Sequence, residues 1–161
     1  MQVRFALSVC LFVFLFVSCA SSNAPCGPEK ALVKRVIDGD TIEIDTGQKV
    51  RYILVDTPEL SEGACFAVEA KKFNEDLVLQ HEVTLEYDQS CTDKYGRLLA
   101  YVYVGNLCVN EEIIKQGYGC VYFIPPDGEA RVDEYKKLEQ KAISSGAGLW
   151  GVCGEVPCRQ K

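Results

Sequence analysis

"ALVKRVIDGDTIEIDTGQKVRYILVD", residues 31–56, is the stretch that decides the fold. Residues 31–38, 41–45 and 50–55 read as three short strands in a row, parted by the Asp-Gly of "IDGDT" and by the turn "TGQK". The third run is apolar enough to be largely buried. If the second strand reaches back to Asp40, that carboxylate shares a face with Ile42 and Ile44. Asp-Gly is a common hairpin signal, so Asp40 on its own reads as a turn residue. The alternative is that it points inward to hold something positive.

Beyond residue 56 the period changes. "DTPELSEGA" is a loop, broken by Pro58, Ser61 and Gly63. Phe66, Ala70, Phe73 and Leu77 then recur at helical spacing, with Lys and Glu on the other face. Residues 82–88 and 97–104 read as strands around the polar loop "QSCTDKYG", and 110–116 as a short helix capped by Gly117. A further strand is expected over 118–123 and an amphipathic helix over 129–145, stopped by Gly146. Three consecutive strands, a helix and then more strands do not alternate as a βαβ sheet would. The order fits an α+β chain, mainly β: a small five-stranded β-barrel of the OB type with three α-helices.

The 161 residues suffice for one domain. The first twenty stand apart from it. Arg4, an apolar run from Phe5 to Val17 and the small residues of Ser18-Cys19-Ala20 have the layout of a secretory signal peptide. The run is shorter than the roughly 20 apolar residues a membrane span needs. "FVSC" also resembles a lipoprotein box with Cys19 as the lipidated residue, which would tie the chain to a membrane. Either reading predicts a secreted, periplasmic or cell-envelope protein. Residues 21–30 read as a linker, 31–152 as the domain and 153–161 as a short cysteine-containing tail.

Of nine cysteines, Cys10 and Cys19 leave with the leader and seven remain, without the paired spacing of a zinc site. In an oxidising compartment they form disulfides, and an odd number leaves one over. Their connectivity is not legible from spacing. His81 is the one histidine, and nothing near it in sequence suggests a thiol–imidazole pair. The net charge of −6 becomes −7 when Arg4, the one charged residue of the first twenty, is removed. Acidity argues against a passive high-affinity nucleic-acid binder, since such affinity rests on Lys and Arg. It does not argue against an enzyme whose site is locally positive through a metal ion and a few arginines.

Arg51 opens the third strand and Asp56 closes it, with Thr57, Pro58 and Glu59 next; "TDKYGR" sets Lys94, Tyr95 and Arg97 before the strand 97–104. Singly, these read as caps, turn residues and solvated charges. Together they resemble the staphylococcal nuclease (thermonuclease) family. The matching stretches are "IDGDT" at 37–41, "RYILVDTPE" at 51–59, "TDKYGRLLAYVYV" at 92–104, "VNEEIIKQG" at 109–117 and "GLW" at 148–150. They cover about residues 31–151, in the family's order.

The resemblance implies an OB barrel with three helices. It implies that Asp40 and Asp56 bind Ca2+ through carboxylates and Thr57 through its carbonyl, and that Glu59 is the general base or orients the attacking water. Arg51 and Arg97 would grip the scissile phosphate, and Lys94 and Tyr95 a neighbouring one. The family's late tyrosines, which stack on the nucleotide, would correspond to Phe123 and Pro125. The family's loop after the third strand is also longer than "LSEGAC". The expected function is an exported calcium-dependent nuclease acting on DNA and RNA, leaving 3′-phosphate ends. The chain would act as a monomer without a stable protein partner. One alternative is the same barrel as a catalytically inactive nucleic-acid-binding module. Another is a disulfide-stapled surface protein with a structural calcium site.

One conflict is internal to the sequence. Arg51 and Asp56 are five residues apart, so a regular strand would point them to opposite faces. Both reach one site only if the strand twists or bulges, or if Asp56 already belongs to the loop.

Overall fold

The computed structural model describes residues 26–159. The expected leader with Cys19, and residues 21–25 of the expected linker, lie outside the described residues.

Strands β1 (Lys30–Asp38), β2 (Thr41–Ile44) and β3 (Lys49–Tyr52) form an antiparallel meander. β5 (Glu82–Glu86) pairs with β1 on its other side and with β6 (Leu98–Val104). A parallel pairing of β3 with β6, Arg51 opposite Leu99, closes a five-stranded barrel. Closure removes the sheet edges that a small open sheet would expose. Alternating residues fill the interior, among them Val33, Ile42, Ile44, Val50, Val83, Leu98, Ala100 and Val102, all at most 2% exposed. Val36 joins this core three residues after Val33, rather than two, because β1 shifts register between Val33 and Arg35.

The expected third strand, 50–55, is interrupted. β3 ends at Tyr52, and β4 (Leu54–Asp56) begins at a left-handed Leu54, with φ of 64°. That conformation costs a leucine roughly 1–3 kcal/mol and persists only where its surroundings hold it. Three contacts do so. The Ile53 N–H donates to the Ala100 carbonyl. The buried Asn110 side chain donates to the Ile53 carbonyl at 3.0 Å. The Leu54 side chain packs so closely on Gly128 that a Cβ there would meet it at 2.6 Å. β4 then leaves the barrel and pairs with β8 (Cys120–Tyr122) in a separate two-stranded ribbon. The strand expected over 118–123 is therefore three residues long and is not a barrel stave. Its partner β4 offers three residues, from the left-handed Leu54 to Asp56, and the ladder has that length.

Helix α1 (Ala67–Val78) lies against β1, and α2 (Val109–Lys115) follows the two-residue β7 (Leu107–Cys108). α3 (Val132–Ser145) packs on α2, and the single turn α4 (Leu149–Val152) follows it. The apolar spacing read along α1 holds for Ala70, which is buried, and for Phe73 and Leu77, which pack against the core; Phe66 precedes the helix in a left-handed conformation and its ring centroid lies 5.3 Å from that of Tyr118. Asn74 sits at the centre of the same face, fully buried. It accepts a hydrogen bond from the Tyr52 hydroxyl at 3.0 Å and donates to the Asp38 carbonyl at 3.1 Å. Phe73 stacks on Tyr118, with centroids 4.0 Å apart. Among the described residues, no helix is long and apolar enough to cross a membrane.

Six of the seven cysteines among the described residues pair as Cys26–Cys91, Cys65–Cys153 and Cys120–Cys158, and Cys108 is the buried free thiol.

Candidate active site

The β1–β2 turn, the β3–β4 junction and the loop before β6 meet around a cavity of about 720 Å³. Asp40, Arg51, Asp56, Glu59 and Arg97 all line it, together with Lys94 and Tyr95. Thr57 is buried against Asp40 and does not line it.

Arg51 organises the floor. Its side chain is 12% exposed, and its Nη2 lies 3.1 Å from Asp40 Oδ2 and 3.2 Å from Asp56 Oδ1. Its Nη1 donates to the carbonyls of Tyr52, at 2.9 Å, and of Val55. The conflict between Arg51 and Asp56 thus resolves at Leu54. The chain turns between β3 and β4, so the alternation is reset and Asp56 returns to the face that Arg51 occupies.

Asp40 does point inward. Its Oδ2 accepts from the Thr57 N–H at 2.9 Å and from the Thr57 hydroxyl at 3.3 Å, and its Oδ1 from the Thr41 hydroxyl at 2.9 Å. Burial alone would raise its pKa; the Arg51 charge and these hydrogen bonds hold it below the usual carboxylate value. Gly39 is required because the chain passes against Thr57: a Cβ there would meet the Thr57 side chain at 2.7 Å. Asp38, on the other side of that glycine, also lines the cavity and accepts from the Asp40 N–H at 3.1 Å. Burial first, then the Asp40 charge, pushes its pKa up to about 7.

The opposite wall is looser. Arg97 donates to Asp93 Oδ2 from Nε at 2.7 Å, and its Nη2 lies 2.6 Å from the same oxygen. Asp93 Oδ1 accepts from the N–H groups of Tyr95 and Arg97, which folds "DKYGR" into a compact turn. Hydrogen bonds from Arg97 hold the Asp93 carboxyl below its usual range against the effect of burial. Tyr95 is 72% exposed, with the Lys94 ammonium 5.0 Å and the Arg97 guanidinium 5.5 Å from its ring centre.

Phe123 is not at the cavity; it packs against the barrel core, and Tyr122, Ile124 and Pro125 line the cavity instead. Chain parity gives the reason. Val121 and Phe123 share one face and Tyr122 and Ile124 the other, and the pairing with β4 turns the second face to the cavity. The strand spacing carried that parity, but the facing direction depends on a pairing the spacing does not contain. The structure adds Asp38, Asn74 and Asn110 to the site and its support. Asp38 was legible as half of an Asp-Gly-Asp run; the two asparagines had no signal beyond a polar residue at an apolar helical position.

Among the described residues, no three acidic, histidine or cysteine side chains stand close enough to form a metal cage by themselves. The donor chemistry nevertheless suits a hard cation: two carboxylates from β-turn and β4, buried together with one guanidinium, carry more negative than positive charge.

The family profile described as "Staphylococcal nuclease homologue" matches residues 49–152. That span is over half of the chain. The chain belongs to the staphylococcal nuclease family. It is 41% identical over 133 residues to "Endonuclease YncB" of Bacillus subtilis (strain 168), covering 78% of this chain and 63% of that protein. It is 38% identical over 133 residues to "SPbeta prophage-derived endonuclease YokF" of the same organism, covering 78% and 45%. It is 35% identical over 156 residues to "Thermonuclease" of Staphylococcus intermedius, covering 90% and 92%. The chain spans less than two thirds of either Bacillus endonuclease and nearly all of the staphylococcal thermonuclease. The matched family span holds Arg51, Asp56, Glu59, Lys94 and Arg97, and Asp40 lies just before it.

Proposed function

We propose that this nuclease-family protein is an exported, calcium-dependent endonuclease that hydrolyses phosphodiester bonds in DNA and RNA and leaves 3′-phosphate ends. The observation that carries the proposal is the convergence of Asp40, Asp56, Glu59, Arg51 and Arg97 on one cavity. The names of the relatives, two endonucleases and a thermonuclease, support the same class.

Water attacking a phosphodiester adds charge to an already anionic group, and the site's cations answer that charge. Arg51 and Arg97 contact the scissile phosphate from opposite walls; a guanidinium presents two N–H groups to two phosphate oxygens, which an ammonium does not. Glu59 orients the water and takes its proton, and the 5′-oxygen leaves, so the phosphate stays on the 3′-oxygen. Asp40, Asp56 and the Thr57 carbonyl would hold a calcium ion, which supplies electrostatic stabilisation of the phosphoryl oxygens. Lys94 and Tyr95 take a neighbouring phosphate. Two carboxylates and one carbonyl are fewer oxygen ligands than calcium ordinarily takes, so these residues alone would hold it weakly and bound nucleic acid would strengthen its binding. The three disulfides support export. Mass analysis of the native N-terminus distinguishes cleavage after Ala20 from lipidation at Cys19.

Plasmid DNA and an unstructured RNA, incubated with the protein and calcium and then with a chelator, test the proposal. Calcium-dependent degradation of both is expected. Folded protein that cleaves neither overturns it; tight binding of single strands without product would favour the inactive binding module.

A further inference from the structure

The three disulfides share a pattern. Each joins a segment in or beside the cavity wall to a chain extension outside the barrel. Cys91 sits between Ser90 and Thr92, both of which line the cavity, and precedes the Lys94–Arg97 turn. Cys65 follows Ala64, whose N–H closes the Glu59 loop by donating to the Glu59 carbonyl at 3.3 Å. Cys120 lies directly opposite Asp56 in the β4–β8 ladder. The partner cysteines are Cys26, before β1, and Cys153 and Cys158, after α4.

The barrel does not share in this. None of its five strands contains a cysteine. Its core is a continuous cluster of 22 buried apolar residues without a disulfide cysteine. The stapled extension forms a second, small cluster of three buried residues, Cys120, Leu149 and Cys158, with Phe66, Trp150, Cys153 and Val156 packed on it. The short 3₁₀ turn Leu60–Glu62, just after Glu59, buries none of its residues. Apolar packing therefore holds the barrel, and covalent bonds supplement the segments beside the site; packing is sparsest in the Glu59 loop, whereas Leu54 and Val55 of β4 share the barrel core.

We propose that the terminal extensions are redox-fastened clamps on the active site: with the disulfides formed the site is assembled, and with them reduced it loosens while the barrel stays folded. Cleavage of nucleic acid is thereby conditional on an oxidising environment. Each switch-off step consumes two small thiols: the protein disulfide takes two electrons and two protons, giving two cysteine thiols, and the thiols become one small disulfide. Glutathione disulfide reverses the step. The activity side of this inference rests on the nuclease reading above; the structural side does not.

Hydrogen exchange read by mass spectrometry, together with a single-strand cleavage assay in calcium, tests it on the full chain. The proteins compared are the oxidised protein, the same protein reduced with glutathione and alkylated, and three double variants: Cys26→Ala/Cys91→Ala, Cys65→Ala/Cys153→Ala and Cys120→Ala/Cys158→Ala. Each double variant is expected to speed exchange in its own wall segment, residues 88–97, 57–64, or 54–56 with 120–122. Protection in β2 and β6 is expected to persist. Turnover falls about a hundredfold, as expected when reacting groups shift by an ångström. Cys108→Ala leaves both readouts and the thiol response as they were. Unchanged exchange in all three wall segments overturns the clamp, and so does loss of β2 and β6 protection in every double variant, which would make the disulfides props of the whole fold. If the oxidised protein cleaves nothing, the nuclease reading falls and the exchange data alone decide the clamp.

Discussion

Arg51 and Arg97 face the same cavity and are the same residue type, yet they are held in different ways. Arg51 is 12% exposed, bridges two carboxylates brought from 11 and 5 residues away, and satisfies two backbone carbonyls at the β3–β4 break. Arg97 is 27% exposed and pairs with Asp93, four residues earlier in its own turn. A buried cation with several fixed partners is part of the wall, and its loss strands those partners. A half-exposed cation with one local partner is an attachment to the wall. Lysine at Arg97 should therefore affect turnover far more than stability, whereas lysine at Arg51 should affect both.

Arg51→Lys is expected to have the largest effect. An ammonium cannot serve two carboxylates and two carbonyls together, so turnover should fall by about 10²–10³-fold. Stability should fall by about 2–4 kcal/mol, because buried partners are left unsatisfied. Steady-state kinetics and urea unfolding read the two effects, and an undiminished unfolding midpoint would show that the bridge is not part of the fold. Arg97→Lys should lower turnover about 10²-fold and change stability by less than about 1 kcal/mol; equal destabilisation in both variants would erase the contrast.

The β8 parity sharpens the same distinction between wall and attachment. Tyr122→Ala should raise KM for single-stranded substrate by the worth of one stacking contact, about 1–3 kcal/mol, with little change in melting temperature. Phe123→Ala should destabilise by about 2–3 kcal/mol and leave KM nearly alone. The reverse assignment would mean that β8 turns its other face to the cavity.

The smallest effect concerns Asp93. Its folded pKa lies below its ordinary value of 3.8, so it contributes stability above that value, and the contribution is lost as pH falls through the lower folded pKa. Asp93→Asn should therefore flatten the acid limb of the melting-temperature profile below about pH 4 and change little at neutral pH beyond the loss of the exposed-side pair. An acid limb identical to that of the parent would remove Asp93 as the anchor of Arg97.

The order of strands and helices was legible in the chain because period is a local property: alternation marks 31–38 and 41–45, and the 3.6 period marks α1, before any tertiary contact is known. The candidate site residues were legible as a set because runs such as "IDGDT" and "RYILVDTPE" are continuous stretches, and the chemistry that the family resemblance implies needs those residue types wherever they sit. Other features depend on distances between residues far apart in sequence. The left-handed Leu54 is held by Asn110 and Gly128, more than fifty residues on, and it decides that Asp56 returns to Arg51. Tyr122 rather than Phe123 faces the cavity because β8 pairs with β4. The cysteine pairs span 38 to 88 residues, and spacing carries no record of which ends the fold brings together. The amino-acid sequence by itself determined the order of the main strands and helices and the residue types offered to the site, since both are written residue by residue. Only the tertiary structure decided which of those residues face one another, because facing is a property of pairs that the fold creates.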